Sequence, residues 1–79
     1  MKIAINVLAI IFANKGEFEY AELTYKKALR IYEASLGPDH PEVAIVLEDM
    51  ADLYAEVGRS GEADELKERA RGIWAKNNY

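Results

Sequence analysis

Apolar residues recur at helical spacing in four successive runs along this chain. In the first, Ile3, Ile5, Val7, Leu8, Ile10, Ile11 and Phe12 crowd together, predicting a helix over about residues 2–14 that stops before Lys15-Gly16. The second run, from about Glu17 to Ser35, places Phe18, Ala21, Tyr25, Ala28, Tyr32 and Leu36 on one face, stepping by 3, 4, 3, 4 and 4. Val43, Leu47, Met50, Tyr54 and Val57 form the third stripe, and Ala63, Leu66, Ala70, Ile73 and Trp74 the fourth. Both prolines fall in LGPDHPEVA, residues 36–44. There Gly37 is expected to end one helix, Pro38 to prevent its continuation and Asp39 or His40 to cap the next. Pro41 fits that helix's first turn, and Glu42 favours its positive end. Gly58 closes the third helix, and Ser60 is expected to cap the fourth. Short connections make consecutive helices antiparallel neighbours.

Sliding the sequence by 42 residues brings Ala9 onto Ala51, Ala13 onto Ala55, Gly16 onto Gly58, Ala21 onto Ala63, Ala28 onto Ala70 and Ile31 onto Ile73. Leu8 meets Met50, Phe12 meets Tyr54, and Tyr32 meets Trp74. Small residues, a turn glycine and bulky apolar residues are what close helix packing constrains. The chain therefore reads as one all-α domain over residues 1–79, built of two tandem antiparallel helical hairpins. Repeat one covers about residues 2–36 and repeat two about 41–76, with LGPDHPEVA as their joint. The paired alanines are expected at the tightest helix contacts.

Composition narrows the function. A hydrophobic fraction of 51% with 30% charged residues is that of a folded globular chain, and the net charge of −4 argues against a nucleic-acid or anionic-membrane surface. Lys26, Lys27 and Arg30, like Lys67, Arg69 and Arg71, read as helix-dipole complements late in their helices. The first apolar run is too short to span a bilayer. Asn6 interrupts it and Ile11-Phe12-Ala13 is a poor cleavage site, so a cytoplasmic chain is expected rather than one with a signal peptide. The sequence has no cysteine, which removes disulfides and thiol chemistry and leaves the redox compartment open. His40 is the one histidine, without a spaced partner for a metal, and no phosphate-binding glycine loop occurs. Neither enzyme activity nor a cofactor is expected.

The run LAIIFANKGEFEYAELTYKKALRIY followed by EASLGPDHPEVA resembles the tetratricopeptide repeat, in its 42-residue kinesin-light-chain-like form. The matching residues are Leu8-Ala9, Phe12, Gly16, Phe18, Ala21, Tyr25 and Ala28, then Met50-Ala51, Tyr54, Gly58, Ala63 and Ala70. The resemblance implies an α-solenoid fragment that binds protein without catalysis. Ser60 and Lys67 stand where the first repeat has Phe18 and Tyr25, so the fourth helix reads as a solvated cap of the kind that repeat arrays need.

Two surfaces follow. Glu48, Asp52 and Glu56 recur every four residues along the third helix, and their counterparts in the first are Asn6, Ile10 and Asn14. In the tetratricopeptide fold these slots line the concave groove, which implies a site for a basic or amphipathic peptide and disfavours a carboxylate tail. A solvated helix face is the competing reading. The other surface is the first helix, apolar all round, with Val7 where the second repeat has Asp49 and Ile10 where it has Asp52. With no hairpin before it in this sequence, Ile3, Val7, Ile10 and Ile11 are expected to drive self-association. A two-fold dimer, packed or hairpin-swapped, is the simplest form. The alternative is a purely structural oligomerisation unit, or an excised or engineered repeat pair with no ligand.

Overall fold

The computed structural model describes residues 5–77. Four helices follow in order: α1 (Ile5–Asn14), α2 (Phe18–Leu36), α3 (Pro41–Glu56) and α4 (Ser60–Lys76). No strand occurs among the described residues. α1 packs on α2 and α3 on α4, giving two hairpins, and α3 also lies against both α1 and α2. The result is an all-α, solenoid-like stack.

The two hairpin turns are built alike. At the end of α1, the Glu17 N–H donates to Phe12 O at 2.9 Å and the Gly16 N–H to Ala13 O at 3.0 Å. At the end of α3, Arg59 N–H reaches Tyr54 O at 2.8 Å and Gly58 N–H reaches Ala55 O at 3.2 Å. This six-to-one, five-to-two pairing needs a left-handed residue, and Gly16 and Gly58 supply it with φ of 79° and 83°. Between the hairpins, His40 caps α3: its Nδ1 accepts the Glu42 N–H at 3.1 Å, and Pro41 follows in the first turn.

Three details depart from the sequence reading. α2 begins and ends one residue later than expected, at Phe18 and Leu36. Ser60 is the first residue of α4 rather than its cap. Arg59 holds the cap position and forks onto Glu62, Nε to Oε1 at 2.7 Å and Nη2 to Oε2 at 2.8 Å. Nor do the basic clusters serve helix dipoles: α2 has no base in its last turn, and α4 has only Lys76 there. Three of their six members make side-chain pairs instead, Lys26 with Glu22, Arg69 with Glu33 and Arg71 with Glu68. Residues 2–4 of the expected first helix lie outside the described residues.

The core runs through the stack in two connected clusters. Ala9, Ala21 and Ala28 and their repeat partners Ala51, Ala63 and Ala70 are all buried, at the contacts where a larger side chain would separate the helices. Tyr25, Val46, Met50, Leu53 and Tyr54 join them where α3 meets the first hairpin. Val43, Ala44, Leu47, Ala70 and Ile73 form the cluster inside the second hairpin. Tyr32 and Trp74 pack against the core as hairpin residues. Tyr20 lies on Phe12, with ring centroids 5.7 Å apart. Tyr79 lies outside the described residues.

Candidate protein-interaction surfaces

Where α3 crosses α1, the helices leave a cleft of about 220 Å³. Ile10, Ala13 and Asn14 of α1 form one wall, Asp49, Asp52, Leu53 and Glu56 of α3 the other, and Tyr25 of α2 the floor. Tyr25 is 2% exposed. Burial, reinforced by the charges of Asp49, Asp52 and Glu56, pushes its hydroxyl pKa up to about 12. Asp49 is itself raised above the usual carboxylate range, chiefly by burial and further by Asp52 and Glu48, against a lowering hydrogen bond from Asn6. Three carboxylates thus share one small, partly dry recess. A cation entering it relieves their repulsion and replaces lost solvation.

Four of the six residues expected in a groove, Ile10, Asn14, Asp52 and Glu56, come together in this cleft. Asn6 lies beneath the surface, buried, with its Nδ2 donating to Asp49 Oδ2 at 3.4 Å. Its Oδ1 has no hydrogen-bond partner among the described residues. Glu48 turns the other way, toward α4, and accepts the Trp74 Nε1–H at 3.2 Å. Tyr25 and Asp49 were not among the expected groove residues. Asp49 is separated from Asp52 and Glu56 by three and seven residues, a spacing that shares a helix face.

The outer face of α1 is the second surface. Val7, Leu8 and Ile11 are 41%, 45% and 44% exposed. Ile10 faces the cleft instead, and Ile3 lies outside the described residues. One repeat further on, the counterparts of Leu8 and Ile11 are Met50 and Leu53, each 4% exposed against the first hairpin. The positions are equivalent; only the cover differs.

Elsewhere at the junction a polar latch ties the hairpins together. Glu22 of α2 accepts the Tyr54 Oη–H at 2.7 Å and Arg59 Nη1 at 3.3 Å, with Lys26 Nζ at 3.7 Å. The Arg59 guanidinium lies over the Tyr54 ring, 4.5 Å from its centroid. The Tyr54 hydrogen bond is the main reason the Glu22 pKa is lowered.

Two stacked hairpins related by a 42-residue repeat define a helical repeat of the protein-binding, scaffold-like kind. The tetratricopeptide repeat family model matches residues 1–76, and the chain belongs to that family. It is similar to the kinesin light chain-related 1 protein of Arabidopsis thaliana, 36% identical over 66 residues covering 84% of this chain and 11% of that protein. Kinesin light chain-related 2 of the same organism is 31% identical over 65 residues, 82% of this chain and 10% of that protein. Mouse (Mus musculus) nephrocystin-3 is 36% identical over 55 residues, 70% of this chain and 4% of its own length. The chain therefore spans about a tenth or less of these relatives. Among the described residues no helix is long and apolar enough to cross a membrane.

Proposed function

We propose that this chain is a protein-interaction repeat whose α1–α3 cleft takes a Lys- or Arg-bearing segment of a partner polypeptide. The observation that carries this reading is the convergence of Asp49, Asp52 and Glu56 around a recess floored by Tyr25 and walled by Ile10. An alkyl stem lies on the apolar wall while its cationic head reaches the carboxylates, as long basic side chains commonly do. The test is titration with short Lys/Arg-containing peptides at several salt concentrations. Affinity is expected to fall as salt rises, because exposed charges are screened beyond ~8 Å at physiological ionic strength. The double variant Asp52→Asn with Glu56→Gln is expected to weaken binding about tenfold with the helices intact, two charged contacts being removed. A peptide library with no basic enrichment would sink the reading.

The exposed Val7, Leu8 and Ile11 favour a second contact, self-association of two chains through α1. The counterparts of Leu8 and Ile11 in α3, Met50 and Leu53, are buried against a hairpin, which supports a role for this face in helix packing. A two-fold arrangement covers both faces with one self-complementary contact.

A further inference from the structure

α3 shows how a helix lies on a hairpin of this chain. It rests in the groove of the first hairpin, over Asn6, Ile10 and Tyr25, with Leu29 and Tyr32 packed alongside. One repeat on, those five positions are Glu48, Asp52, Lys67, Arg71 and Trp74. They line an open groove of about 540 Å³ between α3 and α4. What is mostly apolar under α3 has become an acidic ridge on one helix and a basic ridge on the other, with the Trp74 indole between them.

We propose that this groove docks a partner helix, laid as α3 lies on the first hairpin, carrying Lys or Arg along its edge toward α3 and Asp or Glu along its edge toward α4. The charges are segregated by helix, so only a ligand segregated in the opposite sense satisfies both sides. Lys67 makes no ion pair among the described residues, and Arg71 meets only Glu68, out on the solvent side of α4. Lys67 is therefore available, and Arg71 is held only by an exposed pair within its own helix. A second copy of the chain does not fit. In the α3 register its α1 would set Val7 against Glu48, and Ile11 against Asp52 and Lys67, burying charges under apolar side chains without partners. The site shares only Asp49 and Asp52 with the α1–α3 cleft, so its test uses the other residues.

Trp74 is the chain's one tryptophan and reports occupancy by its emission. The full chain is titrated with three helical peptides that keep the apolar positions of α3. One carries Lys on one edge and Glu on the other, one Lys on both edges, and one Glu on both. The split peptide is expected to shift Trp74 emission to the blue and to bind about tenfold tighter than either uniform peptide, a difference that a few exposed ion pairs supply. Lys67→Glu with Arg71→Glu is expected to transfer the preference to the all-Lys peptide, with helicity by circular dichroism unchanged. Loss of that preference without gain of the new one, in a folded variant, overturns the proposal. Equal binding of split and all-Lys peptides to the wild type also overturns it, as general attraction to an acidic chain. A blue shift on raising protein concentration alone, lost in Glu48→Lys, assigns the groove to a second copy and overturns it too.

Discussion

Two carboxylates at the junction between the hairpins respond to pH in opposite senses. Glu22 is held below the ordinary range, first by the Tyr54 hydroxyl. Its contribution to stability is full above its unfolded pKa and is lost as pH falls through the lower folded value. Tyr54→Phe removes the Tyr54–Glu22 hydrogen bond and is expected to cost about 1 kcal/mol at neutral pH. Urea unfolding measured from neutral pH into strong acid is expected to show the gap to wild type closing. A gap that persists in acid means that the carboxylate is not the partner. Asp49 is raised instead, mainly by burial, so its ionisation opposes folding above its folded pKa and not below its unfolded one. Asp49→Asn is expected to stabilise the fold at neutral pH and to lose that advantage in acid. Equal or lower stability than wild type at neutral pH would contradict this. A carboxylate held at a cost to folding supports the proposed role of this cleft in taking a cation. The sequence hid this residue for a geometric reason: each step of four residues overshoots a helical turn by about 40°. Glu48, Asp52 and Glu56 therefore wind around α3, leaving Glu48 on the α4 side. Asp49, Asp52 and Glu56 span a narrower arc and share the cleft.

At the scale of the element, the periodicity and the turn residues were enough to place all four helices, because each boundary rests on local chemistry. The glycine turns, the proline joint and the alanine contacts are legible from short spacings alone. What the sequence could not convey was the choice among side-chain partners. Arg59 and Glu62 close on each other across the start of α4, where Ser60 offers a hydroxyl that makes no cap. Tyr25 lies beneath α3, whereas its counterpart Lys67 lines the open α3–α4 groove. Ala21→Leu or Ala28→Leu is expected to cost ~1–3 kcal/mol by overpacking, since both sites are fully buried. Wild-type stability in both would refute the close contact. In the opposite direction, a Cβ at Gly72 meets no atom within 4 Å. Gly72→Ala is thus expected to stabilise α4 by about 0.5–1 kcal/mol in thermal or urea unfolding, through helix propensity alone. An unchanged or lower midpoint would show that Gly72 is held for another reason.

At the scale of the whole repeat pair, two exposed faces differ in chemistry. The first helix turns Val7, Leu8 and Ile11 outward, while the last hairpin presents ridges of opposite charge. Under the proposed self-association α1 meets α1, because setting it on the charged ridges would place apolar side chains on charges. Light scattering across a concentration series is expected to give a dimer mass, and Val7→Asp with Ile11→Asp a monomer. Wild-type chain that stays monomeric at high concentration, or a double variant that dimerises unchanged, would end that reading. The cleft, the central functional assignment, has its most direct test in an amide chemical-shift map of the labelled chain titrated with a short Lys/Arg peptide. The largest shifts are expected to cluster at Ile10, Ala13, Asn14, Asp49, Asp52 and Glu56. Shifts confined to the outer faces of α2 and α4, or none at saturating peptide, would contradict it.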